Sequence, residues 1–174
     1  MCGISGFCNY TLNFYNNQDE SKNVLINMRE AIAHRGSDQT GEYLNRHVGF
    51  SHTRLSIRDI EGGRQPIIRH AGEKEYVIVY NGEIYNTDEL VPPLLQAGYV
   101  FETTTDTEVI LYAYMEYGED FVNLLNGIFA FAIYDKDKEQ VLLYRDRLGV
   151  KPLFYSIKDK TLVFGSEIKA LFRH

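Results

Sequence analysis

Only two of the 174 residues are cysteine, Cys2 and Cys8. Two thiols cannot build the disulfide framework of a small secreted scaffold, so a reducing, cytoplasmic setting is expected. No run of about 18 apolar residues occurs, and no transmembrane helix is expected. The amino-terminal stretch has no basic region leading into a long apolar core, which argues against a secretory signal. Positive charge is in deficit. The formal net charge of -6 argues against nucleic-acid binding, which draws on neutralised phosphates. Neither a G-x-S-x-G elbow nor a G-x-x-x-x-G-K-[S/T] loop is present. The five histidines are scattered and show no spacing with cysteine that suits zinc, so no metal site is expected.

What remains is a chain 44% hydrophobic, long enough for one domain with a sizeable core. Its most informative residue is Cys2, directly behind Met1. Removal of Met1 would leave a thiol and a free α-amine on one residue. The amine has a reference pKa of roughly 7.7–8.0. It can take the thiol proton itself or through one water, as in N-terminal threonine nucleophiles. Gly3, without a Cβ, admits close approach to the backbone. Cys8, within the first predicted strand, is most simply a small buried hydrophobe.

Periodicity outlines the elements. Residues 2–10 read as a strand. Val24, Leu25, Met28 and Ile32 stand at helical spacing, which predicts a helix over 22–33 that stops before Gly36. Short strands are expected over 42–44 and 48–52, and a buried strand over 76–80 (YVIVY). Thr87 is placed to cap a helix that Pro92 and Pro93 must interrupt or restart. Residues 107–117 read as a second full helix and 119–125 as a third. Strands follow over 128–134, 140–145, 153–157 and 161–164, with a last helix over 167–172. Helices among hairpin-joined strands give an α+β class with antiparallel sheets.

Several polar clusters carry two readings each. Asn81-Gly82 after YVIVY is a strong hairpin-turn signal. The sequence then runs toward a helix cap instead of a returning strand. The alternative is that the Asn81 amide and the Gly82 N–H aim at a developing oxyanion. Residues 34–38 (HRGSD) read as a helix stop and surface turn, with Arg35 an ordinary ion-pair partner. Arg54 is structural or a bidentate clamp for a carboxylate. Asp106 caps a helix or recognises a substrate ammonium, and its two oxygens allow both.

Taken in order, MCGISG at 1–6, HRGSD at 34–38, SHTRLSIRD at 51–59, NGEIYN at 81–86 and TTTDTEV at 103–109 resemble the class II glutamine amidotransferase domain. GIFAFAIYD at 127–135, RDRLGVKPLFY at 145–155 and GSEIKAL at 165–171 complete the resemblance over the whole chain. The last two look like glutamine-hydrolysing asparagine synthetases. The resemblance implies a four-layer αββα sandwich of two antiparallel sheets, of the N-terminal-nucleophile type. It implies Cys2 as nucleophile, with Asn81 and Gly82 as the oxyanion hole. Arg54 would hold the glutamine α-carboxylate, with backbone around Leu55 and Ile57 lining the pocket. Glu83 and Asp106 would contact the substrate amide and ammonium. Ser37 departs from the usual Pro, and Thr104-Thr105 from a small-residue pair. Residues 58–68, with Gly62 and Gly63, are a candidate cover for the substrate.

The resemblance implies no cofactor for residues 1–174, read as the glutaminase domain. ATP and Mg belong to a C-terminal synthetase domain, absent from this chain, that would pass the ammonia to aspartate. The chain is therefore read as an excised domain or a product lacking that half, and a homodimer is compatible. Two alternatives stay open: the same glutaminase serving a different acceptor, and a catalytically silent binding module.

Overall fold

The computed structural model describes residues 1–56 and 62–174. Two antiparallel sheets face each other. The first holds β1 (Gly3–Cys8), β2 (Gln39–Leu44), β3 (Val48–Arg54), β8 (Phe154–Lys158) and β9 (Thr161–Gly165), in the order β2-β3-β1-β9-β8. The second holds β4 (Ile67–Ala71), β5 (Lys74–Ile84), β6 (Gly127–Asp135) and β7 (Gln140–Arg145), in the order β4-β5-β6-β7. Helices α1 (Gln18–Glu30) and α4 (Ile168–Leu171) cover the first sheet, and α2 (Thr87–Gln96) and α3 (Asp106–Tyr117) the second. This is the four-layer αββα sandwich that the resemblance implies.

Strand alternation sets the layers. In β1, Ile4 and Cys8 face the second sheet and, with Phe50 and Phe164 of their own sheet and Val77, Val79, Ala130 and Ala132 of the other, form a buried middle layer. Phe7 faces the other way, onto Leu25 and Met28 of α1. In β5, Tyr76, Ile78, Tyr80 and Ile84 meet the helices of the second sheet, while Val77 and Val79 point inward. Cys8 is buried as expected, and desolvation pushes its thiol up to about 11. No helix among the described residues is long and apolar enough to cross a membrane.

Five local readings are corrected. Asn81-Gly82 is not a turn. The strand predicted over 76–80 runs on to Ile84, paired with β6 from Tyr76↔Asp135 to Ile84↔Gly127. The long apolar β6 supplies a partner for the whole length, and that pairing overrides the local turn preference. Gly82 is required there for closeness instead: a Cβ would stand 2.3 Å from the Ile128 carbonyl oxygen.

Helix α2 is not interrupted by Pro92-Pro93 but runs through both. The carbonyls deprived of an N–H are those of Asp88 and Glu89, four residues back. Both residues are exposed, so water can serve these groups, while Leu90 and Leu94 bury the opposite face. The cap is Asn86, not Thr87. Helix α1 begins and ends earlier than expected, and a 3-10 turn over Ala33–Arg35 closes it. The predicted third helix is a 3-10 segment, Gly118–Leu124.

Candidate active site

Cys2 enters β1 with its backbone gripped. Arg35 donates from Nε to the Cys2 carbonyl at 2.9 Å and from Nη1 to Glu167 Oε1 at 3.0 Å. Burial opposes ionisation of Glu167, but Arg35, Lys169 and His34 overcome it and hold the carboxyl at about 2. Arg35 is thus an ion-pair partner and also the anchor of the Cys2 main chain. Gly3 leaves it room, since a Cβ would lie 2.8 Å from Thr53 Cγ2 and 3.2 Å from Arg35 Cδ. The Cys2 thiol is half-buried and donates to the Leu55 carbonyl at 3.6 Å.

Arg54 ends β3, buried, with Nη1 donating to Gln39 Oε1 at 2.6 Å. The turn at 34–38 shapes this place. The Asp38 N–H donates to the Arg54 carbonyl at 3.0 Å, and Asp38 Oδ2 accepts from the Ser56 N–H at 2.7 Å. Gly36 packs so close that a Cβ would meet the Arg54 carbonyl carbon at 2.3 Å. Ser37 is exposed, so the departure from Pro leaves both anchors in place. Gly63 lies against the Arg54 guanidinium, 2.2 Å from an added Cβ to Nη2. Ile57 and part of the proposed cover over 58–68 lie outside the described residues.

The donors come from an overhang. Strand β4 pairs with β5 only as far as Ile67↔Ile78, whereas β6 follows β5 to its end. Beyond Ile78, the backbone groups of alternate residues on the β4 side have no strand to meet. The Tyr80 N–H donates to Gln65 Oε1 at 2.7 Å, and its carbonyl accepts from His52 Nε2 at 3.1 Å. The Ile84 N–H donates to Asp106 Oδ2 at 3.1 Å. Alternation puts the Gly82 N–H on this same edge, between those two. Asn81 faces the opposite way from Tyr80, into the inter-sheet layer. It is 2% exposed, and its Nδ2 has no hydrogen-bond partner among the described residues. A buried donor without a partner is costly in a resting protein.

Asp106 does not cap α3; it is the first helical residue, after Thr105. Besides the Ile84 N–H, its Oδ2 accepts from the Tyr80 hydroxyl at 2.6 Å. Asp106 also lines the cavity beside Cys2. Glu108, fully buried, braces the preceding loop. It accepts from the Thr103 N–H at 2.7 Å and the Glu102 N–H at 3.1 Å, and pairs with Arg69 at 2.8 Å. Burial works against its charge, yet the Thr103, Glu102 and Arg69 bonds lower its pKa.

These elements meet at a narrow cavity of about 70 Å³, lined by Cys2, Arg54, Leu55, Gly82, Glu83 and Asp106, with Gln65, Tyr80 and Thr105. Larger grooves of about 590 and 570 Å³ lie elsewhere, beside Leu148 and beside Tyr99. Neither is lined by a cysteine, so chemistry, not volume, selects the small cavity. Among the described residues, no three His, Cys, Asp or Glu side chains are grouped to hold a metal ion. The sequence reading missed Arg35, His52, Gln65 and Glu108 as contributors. Arg35, His52 and Glu108 lay within the quoted motifs HRGSD, SHTRLSIRD and TTTDTEV without these contacts being assigned to them, and Gln65 lay outside the motifs. Their roles are recognisable only through contacts between distant segments.

Comparison with known proteins agrees with this geometry. Bacillus subtilis asparagine synthetase [glutamine-hydrolyzing] 3 is 44% identical over 174 residues, covering 100% of this chain and 28% of the relative. Escherichia coli asparagine synthetase B [glutamine-hydrolyzing] is 37% identical over 172 residues, 98% of this chain and 30% of the relative. The chain thus spans under a third of the length of these relatives. In fold it is similar to glutamine phosphoribosylpyrophosphate amidotransferase from B. subtilis, with a TM-score of 0.78, 18% identity, and coverage of 98% of this chain and 43% of that one. The glutamine amidotransferase domain profile matches residues 1–174, and the chain belongs to that family.

Proposed function

We propose that this domain hydrolyses glutamine to glutamate and ammonia with Cys2 as nucleophile. After loss of Met1, which is exposed, the free α-amine takes the thiol proton and the thiolate attacks the side-chain carboxamide carbon. The carbonyl oxygen becomes an oxyanion, met by the Asn81 Nδ2–H and the Gly82 N–H. These preorganised donors stabilise the tetrahedral intermediate more than the ground state. The C–N bond breaks, the α-ammonium returns its proton to the leaving nitrogen, and ammonia departs from a γ-glutamyl thioester. Water then attacks the thioester, releasing glutamate and restoring the thiol.

Arg54 and Asp106 supply one charge each for the α-carboxylate and α-ammonium of glutamine. Glu83 lies beside the donors, where it can receive the substrate amide. The observation that carries the reading is that Cys2, Arg54, Gly82 and Asp106 line one cavity, with the buried Asn81 Nδ2, partnerless among the described residues, on the residue next to Gly82. The relatives are named glutamine-hydrolysing asparagine synthetases, which supports use of the ammonia in making asparagine; ATP-dependent amidation of aspartate by a synthetase domain, in a cytoplasmic enzyme, is the matching part of the proposal.

The test follows glutamate and ammonia release together with intact mass. The reading expects activity only in molecules lacking Met1, and a mass increase on Cys2 when the thioester is trapped. Full activity with Met1 retained contradicts it. A correctly processed protein without glutaminase activity would favour the silent binding module.

A further inference from the structure

The overhang of β5 raises a question of alignment. The nucleophile belongs to one sheet and the oxyanion donors to the other. Hydrophobic packing between sheets is non-directional, so it does not by itself hold a donor to within a fraction of an ångström of a reacting oxygen. The structure shows a directional link at this point. His52 stands in β3, directly across the ladder from Ile4 of β1, two residues beyond Cys2. Its Nε2 reaches the Tyr80 carbonyl in the other sheet at 3.1 Å. A carbonyl oxygen only accepts, so Nε2 carries the proton. From the second side, the Gln65 Oε1 accepts the Tyr80 N–H at 2.7 Å, while Gln65 Nε2 donates to Thr107 at 3.3 Å. Tyr80 immediately precedes Asn81-Gly82.

We propose that His52 and Gln65 form a clamp on the Tyr80 main chain that positions the oxyanion donors against Cys2. The proposal rests on the glutaminase reading above and adds two positioning residues that do not touch the reacting atoms. Both are buried, at 1% and 6% exposure. Burial lowers the His52 pKa to about 4, so the ring is neutral near pH 7 and serves as a hydrogen-bond donor without bringing charge to the site. Without the clamp, two buried backbone groups lose their partners, and the edge carrying the Gly82 N–H is free to shift.

The experiment compares wild type, His52→Leu and His52→Gln in glutamine hydrolysis and in alkylation of Cys2 by iodoacetamide. Alkylation displaces iodide at a saturated carbon, so it needs the nucleophile but no oxyanion donors. Misplacement of reacting groups by about 1 Å costs on the order of 10²-fold. His52→Leu is expected to lower kcat roughly 10- to 100-fold on that basis, with KM and the alkylation rate unchanged. His52→Gln, which keeps an N–H of similar reach, is expected to recover most of the loss.

Wild-type kcat in His52→Leu overturns the clamp. So does an equal fall in kcat and alkylation, or a His52→Gln variant no better than His52→Leu. If circular dichroism shows His52→Leu unfolded, Gln65→Met decides by the same two rates. A fall in kcat with unchanged alkylation supports the clamp, and any other pattern overturns it. An inactive, correctly processed wild type removes the glutaminase reading itself, whereas an active wild type with unaffected variants removes only the clamp.

Discussion

Strand β5 has two halves that differ in what borders them. From Tyr76 to Ile78 it lies between β4 and β6, and its backbone groups are spent on the ladders. From Tyr80 to Ile84 only β6 continues, and the other edge is served by the side chains of Gln65, His52 and Asp106. The first half is structure alone. The second is structure on one edge and, in the proposed function, a binding site on the other. Every backbone N–H must find a partner, so a strand that outlasts its neighbour presents donors at fixed positions. The proposed chemistry of this domain lies where a ladder stops.

The largest effect is expected at the other side of the cleft. Cys2→Ala removes the nucleophile and should abolish glutamine hydrolysis while leaving the melting temperature near wild type. Residual turnover close to wild type would place the nucleophile elsewhere.

The charge pair proposed to orient the substrate comes next. Arg54→Ala and Asp106→Asn should lower kcat/KM for glutamine. Analogues lacking the α-carboxylate or the α-ammonium should then lose much less in the matching variant than in wild type. Equal discrimination in variant and wild type would make both residues structural. Asp106→Asn carries a second consequence, since its oxygen holds the Tyr80 hydroxyl and the Ile84 N–H, so kcat should fall as well.

A substitution in the doubly bordered half of β5 should behave in the opposite sense. Ile78→Val removes one buried methyl group and should cost about 0.5–1.5 kcal/mol of stability, with kcat unchanged. A large loss of kcat in a folded Ile78→Val protein would erase the distinction between the two halves.

The smallest effect concerns Glu167. Its pKa falls from 4.5 to about 2 in the folded state. Its contribution to stability is therefore present above about pH 4.5 and is lost as the pH falls toward 2. Glu167→Gln should be less stable than wild type near neutrality, with the difference shrinking across that acid window. A constant difference down to pH 2 would mean that the Arg35 contact does not depend on the carboxylate charge.

The sequence made some of this legible for physical reasons. The 3.6-residue spacing of Leu25 and Met28 and the apolar run of GIFAFAIYD are local signals, and they located α1 and β6. Cys2, Arg54, Gly82, Glu83 and Asp106 were named through motif resemblance and meet at one cavity. Asn81-Gly82 misled as a turn because its strand character comes from β6, nearly fifty residues away. His52 and Gln65 carry no local signature. One resembles any core histidine and the other any loop glutamine, and their roles appear only where β4 ends. Asp106 looked like a cap because the local pattern could not show that Tyr80 and Ile84 would take its oxygen.

The account stands most directly on Asn81. Its buried Nδ2 is without a partner among the described residues, which makes sense if the partner forms during reaction. Asn81→Ala should lower kcat for glutamine by roughly 10²–10³, with KM and melting temperature close to wild type. An Asn81→Ala protein that hydrolyses glutamine at the wild-type rate, or that loses stability without losing kcat, would contradict the assignment of the β5 overhang as the oxyanion hole.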